Sequence, residues 1–376
     1  MTTQEARPLG YALIGAGGFG LFCLEQYARM PSLNVRCIAD TNADAAGRAA
    51  HTYGVDAAHS VEEVLARDDI DIIHVATPPF SHAAITQQVL AAGKHVLCEK
   101  PLALTLDDAQ SAIDSARHAR KVLAINLIMR YDPLCSIVNE ITDRRLLGDP
   151  VHAILENYAK DEPLSPNHWF WDRAKSGGIF IEHGVHFFDL FDWWLGRGTI
   201  VAAQEITRPG TEIIEQVNCT AVYREAIPVN FYHGFTQPAA LDRQEFRLLY
   251  ERGDITLEEW IPTRMMINAL LDKETLAVLR ELMPGSRVTT VRTYAGADRE
   301  MMGRHKHFTV DGHERIHYDA GIDKREIYRL SITRLMDDMI AAIRDPDHNR
   351  QVTEQDGYDS LAMAVAADRM AHKEMN

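Results

Sequence analysis

Residues 9–20 read LGYALIGAGGFG. Leu9–Ile14 is an unbroken apolar run of strand length, and Gly15-Ala16-Gly17-Gly18-Phe19-Gly20 is a G-x-G-x-x-G turn opening a segment of helical spacing to about Met30. In that context the first glycine allows a tight turn, the second lets a pyrophosphate reach the backbone, and the third lets helix and strand pack closely. The phosphates then sit at the helix N-terminus. A second strand, Asn34–Ala39, ends at Asp40, twenty residues past Gly20. An acid there binds an adenine ribose 2′-hydroxyl and repels a 2′-phosphate, so the expected cofactor is NAD and not NADP. Thr41 follows without a cation, and Arg36 lies before the acid.

Outward from this stretch the same alternation continues to residue 126. Ala43–Tyr53 is a helix stopped by Gly54, and Ser60 with Glu63 forms a capping box for Val61–Ala66. Ile70–Ala76 is a strand, Ser81 caps a helix to Ala92, and His95–Cys98 is a strand. Thr105 caps Leu106–Arg120, and Val122–Ile125 closes the series. Continuous apolar strands alternating with helices predict a parallel sheet covered on both faces, a dinucleotide-binding domain over 1–126.

Over 127–376 the pattern changes, as expected for a second domain in a chain of 376 residues. Asp132-Pro133 opens a helix to about Asp143. Val151–Tyr158, Ile200–Glu205, Gln216–Tyr223, Val229–Phe235 and Glu245–Tyr250 alternate as strands of a mainly antiparallel sheet, with Gly253-Asp254 as a hairpin turn. Tyr328–Arg344 and Thr353–His372 read as closing helices, and residues 261–325 carry no clear pattern. The expected fold class is α/β: a Rossmann domain, then an α+β domain with a large open sheet.

A net charge of −15 argues against nucleic acid and anionic membranes as partners. The five cysteines are odd in number and scattered, which fits reduced thiols in a cytoplasmic protein. Residues 1–10 hold no apolar leader, and no run of about 18 apolar residues occurs.

Three segments place chemistry at the carboxyl edge of the parallel sheet, where open α/β folds bind ligands. Ala76-Thr77-Pro78 ends one strand, with His82 close by, and Glu99-Lys100-Pro101 ends the next. Residues 181–194, IEHGVHFFDLFDWW, put Glu182, His186, Asp189 and Trp193 on one helical stripe beside an aromatic one. The bland reading is an aromatic core helix, and at least two of Trp169, Trp171, Trp193 and Trp194 are expected in the core.

With these motifs assembled, the chain resembles the glucose–fructose oxidoreductase / inositol dehydrogenase / MocA family. GAGGFG, Asp40, ATPPFSH (76–82), EKP (99–101), NLIMRYDP (126–133) and GGIFIEHGVHFFD (177–189) occur in that family's order and spacing. The resemblance implies a dinucleotide in an interdomain cleft and a homodimer or homotetramer. It implies that Lys100 is the EKP lysine and His186 the general base. Glu182 replaces the family's aspartate, and His183 is a further departure. Tyr131 is a candidate acid, and Asn126, Arg130, Trp169 and His183 are candidate substrate contacts. No metal is expected; a minority reading gathers Glu182, His183 and His186 round a divalent ion.

The implied activity is NAD-dependent hydride transfer from a secondary hydroxyl of a sugar, cyclitol or glycoside. One alternative is glycoside hydrolysis by transient oxidation, elimination, water addition and re-reduction. Another is a non-catalytic dinucleotide sensor.

Overall fold

The computed structural model describes residues 7–373 other than residue 163, so the reading of the first six residues lies outside it. The strands of the first sheet are β1 (Leu9–Ile14), β2 (Leu33–Ala39), β3 (Asp56–Ala58), β4 (Ile72–Val75), β5 (His95–Cys98) and β6 (Leu123–Ile125). Helices α1 (Gly18–Tyr27), α2 (Ala43–Tyr53), α3 (Val61–Leu65), α4 (His82–Ala91) and α5 (Leu106–Ala119) connect them. The order is β3-β2-β1-β4-β5-β6 with every pairing parallel. The strand order reverses between β1 and β4, which makes the crevice beyond their carboxyl ends the ligand position of this topology.

Local chemistry sets most boundaries. Asn42 caps α2 by accepting from Ala45 N, and Gly54 ends it at φ 65°. Ser60 Oγ accepts from Glu63 N, while Glu63 Oε2 accepts from His59 N, a capping box displaced by one residue. Ser81 does not cap α4 with its side chain as expected. A tight turn at Pro79–Ser81 runs straight into the helix, and the Ser81 hydroxyl donates back to Thr77 Oγ1 and Pro78 O. The short strand β3 is an addition to the sequence reading.

The chain continues through α6 (Pro133–Asp143), β7 (Pro150–Lys160), α7 (Arg173–Ser176) and α8 (Val185–Leu195). Then come β8 (Gly198–Thr207), β9 (Ile214–Tyr223), β10 (Ile227–Gln237), β11 (Arg243–Tyr250), β12 (Gly253–Glu258) and β13 (Arg264–Leu271). Helix α9 (Lys273–Leu282), strands β14 (Arg287–Thr293), β15 (Glu300–Gly303), β16 (Lys306–Thr309) and β17 (Gly312–Asp319), and helices α10 (Lys324–Arg344) and α11 (Glu354–Lys373) complete it.

Strands β7 to β14 with β17 form a nine-stranded sheet in the order β14-β17-β13-β12-β11-β7-β10-β9-β8, in which only β7 and β10 pair in parallel. The hairpin between β11 and β12 is present, but its turn is Glu251-Arg252 and not Gly253-Asp254. Gly253 instead opens β12, where a Cβ would lie 2.5 Å from both Asn268 O and Ala269 Cβ.

The chain divides into two compact units. Of the described residues, the first holds 7–131, 167–189 and 329–365; the second holds 132–162, 164–166, 190–328 and 366–373. The core of the second contains Phe191, Trp194, Phe231 and Phe246, with rings in edge contact at 5.0 Å (Phe191–Phe231), 5.3 Å (Phe191–Trp194) and 6.0 Å (Trp194–Phe246). Trp194 Nε1 donates to Cys135 O. Trp194 is the only one of the four clustered tryptophans that is buried; Trp169, Trp171 and Trp193 are half-buried, fewer in the core than expected. All five cysteines are buried and free. Among the described residues no helix is long and apolar enough to cross a membrane.

Candidate active site

The glycine turn after β1 has the shape its sequence demands. Gly15 sits at φ +104°, and a Cβ there would lie 2.4 Å from Ala76 O. A Cβ on Gly20 would lie 2.4 Å from Gly15 O, whereas Gly17 and Gly18 face open space. Helix α1 begins with no side-chain cap and no acid in its first turn, so its N-terminal amides and dipole are left for an anion. Phe19 beside it is exposed.

Asp40 is half-buried and accepts from Ala16 N at 2.8 Å and from Asn42 N at 2.7 Å, which ties the acid to the glycine turn. Each carboxylate oxygen keeps a further lone pair for a ribose hydroxyl. Arg36 reaches Asp69 at 3.8 Å. Thr41 is exposed, and Ala76, Thr77 and Pro78 are half-buried at the end of β4. His82 is enclosed, with Nδ1 2.7 Å from Pro101 O and Nε2 2.6 Å from Thr77 O, so it links the loops after β4 and β5. These residues fit a dinucleotide: an uncapped helix start, an acid at the second strand and a cradle with no Cβ in the way.

Lys100 follows β5 and reaches the segment 180–184. Its Nζ donates to Glu182 Oε1 at 2.8 Å and to Glu182 O at 2.6 Å. Both side chains keep about a seventh of their surface exposed, 15% and 14%. The carbonyl lies within a feature that helical spacing does not reveal: Phe180–Gly184 is a π-helical turn leading into α8. Such turns displace the hydrogen-bond ladder by one residue and recur at functional sites.

His183 is half-buried and His186 is buried. Burial and then the Lys100 charge push the His183 imidazolium down to about 3. Burial, Lys100 and His183 together hold His186 well below the ordinary histidine range. Both rings stay neutral at physiological pH, and both pack edge-on to Phe187. Lys100, Glu182, His183 and His186 are thus brought into one neighbourhood.

Arg130, Tyr131 and Asp189 belong to a second network. Arg130 forks onto Asp189 at 3.1 Å and 2.6 Å and also meets Asp356 at 2.9 Å. Burial pushes the Asp189 carboxyl up, and the Arg130 fork pulls it back. Tyr131 is buried and donates its hydroxyl to Asp338 Oδ2 at 2.6 Å; burial and Asp338 push the phenol far up. His348 Nε2 lies 2.6 Å from the other oxygen of Asp338. Asn126 is buried and donates to Glu99 Oε1 at 2.6 Å. Trp169 packs against His168 and Phe170. Asp338 and Asp356 were missed by sequence reasoning, because they lie more than 200 residues from their partners and follow no motif.

Comparison with known proteins agrees with this fold. The family model described as "Oxidoreductase family, NAD-binding Rossmann fold" matches residues 9–127, and the GFO/IDH/MocA C-terminal domain matches 137–256. The levoglucosan dehydrogenase of Pseudarthrobacter phenanthrenivorans is 28% identical over 52% of this chain and 53% of its own length. The scyllo-inositol 2-dehydrogenase (NAD(+)) of Bacillus subtilis is 24% identical over 49% of this chain and 53% of its own. The chain thus spans about half the length of the curated relatives it matches. Among solved structures, the WlbA dehydrogenase of Bordetella pertussis, in complex with NADH and UDP-GlcNAcA, superposes with a TM-score of 0.80 at 18% identity, covering 98% of this chain and 96% of that one. The chain belongs to the GFO/IDH/MocA oxidoreductase family.

Proposed function

We propose that this family member is an NAD-dependent oxidoreductase acting on a secondary hydroxyl of a sugar, cyclitol or glycoside. The observation that carries the reading is the Lys100–Glu182 ion pair beside two imidazoles held neutral, after a strand that ends at the ligand edge of the sheet. The substrate class is supported by the names of the relatives, which include dehydrogenases of levoglucosan and scyllo-inositol.

In this reading the turn 15–20 and the start of α1 hold the pyrophosphate, Asp40 the adenine ribose, and residues 76–78, His82 and 99–100 surround the nicotinamide end. NAD, when bound, supplies the hydride acceptor. The negative Asp40, with Arg36 turned to Asp69, favours NAD over NADP; Asp40→Ala is expected to relax that preference. A neutral imidazole carries one basic nitrogen, so His186 takes the proton of the substrate hydroxyl. The Lys100 ammonium steadies the developing alkoxide, and Glu182 keeps the ammonium aimed.

The test is a panel of neutral polyols, cyclitols and glycosides with NAD, followed at the absorbance of the reduced nicotinamide. Reduction on at least one of them is expected. Phenol release from a nitrophenyl glycoside without accumulation of reduced cofactor would replace this reading with the hydrolytic one. Tight NAD binding with no turnover on any substrate would replace it with the sensor.

A further inference from the structure

Behind the Glu99–Lys100 turn, inside the sheet of the first unit, lies an enclosed polar chain of which the proposed reaction uses only the Glu99 end. Tyr11 on β1, His74 on β4, Glu99 at the end of β5 and Asn126 after β6 come from four strands adjacent in the sheet. Tyr11 and His74 are fully buried, Asn126 is 1% exposed and Glu99 7%. Tyr11 Oη lies 2.8 Å from His74 Nδ1, and His74 Nε2 lies 2.8 Å from Glu99 Oε1. Asn126 Nδ2 donates to the same oxygen at 2.6 Å.

A strand covered on both faces is normally apolar throughout, so tyrosine and histidine there need a reason. Burying a carboxylate costs several kcal/mol unless donors meet it. One arrangement of donors meets these contacts: Tyr11 O–H donates to Nδ1, and Nε2–H donates to Glu99. Tyr11 thereby selects the tautomer that presents a donor to the carboxylate.

We propose that His74, oriented by Tyr11, is a positioning residue that fixes the Glu99 carboxylate beside Lys100, so that Glu99 meets the nicotinamide end of the cofactor in a single orientation. This rests on the NAD reading above. The other groups facing Glu99 do not supply the same restraint. Cys23 and Tyr27 on α1 and Cys98 on β5 have their ionisation pushed up by burial and stay neutral. His82 on α4 is pulled down by burial, and its nitrogens face backbone carbonyls. Lys100 is the next residue in the chain, with its ammonium turned to Glu182.

The test uses the full-length protein as wild type, His74→Leu, His74→Gln and Tyr11→Phe. Two quantities are followed from pH 5 to 8: NAD affinity by calorimetry, and the carboxyl carbon shift of labelled Glu99, assigned with Glu99→Gln. In the wild type, NAD affinity is expected to stay flat over this range. A buried carboxylate that loses a donor is easier to protonate, so the labelled carboxyl carbon should respond to pH more in His74→Leu than in the wild type. NAD binding should then weaken about tenfold toward pH 5, the factor of one pKa unit. His74→Gln returns an N–H donor and should return the flat profile, and Tyr11→Phe should move the titration the same way by less. Should His74→Leu not fold, the last two variants carry the test.

A His74→Leu protein that melts earlier but keeps the wild-type titration and NAD profile would overturn the proposal and leave a packing role. Cys23, His74 and Glu99 present donor atoms within 4.8 Å of one another. Stoichiometric metal in the purified wild type, lost in His74→Leu, would likewise overturn it. If the wild type binds no NAD, the cofactor reading fails, while the carbon titration still reports whether His74 governs Glu99.

Discussion

Glu182 and Asp189 stand on one helical stretch, and each takes a cation from a segment that follows a strand of the parallel sheet: Lys100 after β5, Arg130 after β6. The first pair is a point contact from a flexible ammonium, with both side chains partly in solvent. The second is a planar fork on two oxygens, with Asp189 1% exposed and Arg130 9%, reinforced by Asp356. An ammonium on four methylenes can leave one acceptor for another at small cost; a bidentate guanidinium in a closed site cannot. The contrast separates a pair that can open from a pair that is closed.

The largest effect should come from the open pair and the imidazole beside it. Lys100→Ala and His186→Ala are each expected to lower turnover by about 10²–10⁴-fold, with NAD affinity nearly intact. If both serve one proton transfer, the double variant costs far less than the product of the singles. Fully multiplicative losses in steady-state kinetics would separate the two residues and break the comparison at its first member.

The closed pair should reveal itself in stability. Removing one partner of a buried charge pair costs about 3–5 kcal/mol, because the other charge is left unpaired. Arg130→Ala should lose stability on that scale in urea unfolding. Lys100→Ala should lose about 1 kcal/mol or less, as partly exposed pairs do. Equal losses would mean that the two pairs are not different in kind.

This distinction also marks how far the sequence could be read. Five of the six strands of the first sheet were legible by apolar continuity, and several helices by punctuation at their ends, as at Gly54 and Thr105; β3 is too short and exposed to show itself. Ser81 misled, because serine serves equally well as a cap and as a turn donor to a carbonyl behind it. In the second sheet residues 261–325 stayed opaque; β14 is almost wholly exposed and the β15–β16 hairpin pairs only with itself, so neither shows a buried face to count. For the candidate site, the motifs singled out Lys100, Glu182 and His186, which the fold brings near one another, but that Arg130 meets carboxylates depends on Asp189 and Asp356, which no spacing rule connects to it. The π turn at Phe180–Gly184 is invisible for a similar reason: no residue type or spacing marks an i→i+5 turn inside a helical run.

Glu182 sharpens the comparison at smaller scale. Glu182→Gln keeps the shape and a carbonyl oxygen for Lys100 but removes the charge; about tenfold lower turnover, some 1.4 kcal/mol, is expected. Nearly the full loss seen for Glu182→Ala would make Glu182 a proton carrier and not a holder of Lys100. Activity insensitive to a chelator in metal-free protein would dispose of the reading that groups Glu182 with His183 and His186 round an ion, whereas loss of activity mimicked by His183→Ala would restore it.

The smallest effect is the dependence of stability on pH through His183. In the unfolded chain its imidazole takes a proton below about 6.5. In the fold, burial first and Lys100 second keep it neutral down to about 3. The unfolded state therefore binds more protons throughout that interval, and the stability linked to His183 is complete above pH 6.5 and drains away as pH falls toward 3. At pH 5 the share is about 1 kcal/mol, after allowance for a ring that is only half-buried. His183→Gln, which carries no titrating group, should depend less on pH between 7 and 5 than the wild type does, read as the urea midpoint at each pH. Lys100→Met should fall between the two, since it removes the nearby charge and leaves the burial. A wild-type profile already as flat as that of His183→Gln would show that the imidazole takes its proton in the fold as easily as in water. The neutral pair beside Lys100, on which the open site depends, would go with it.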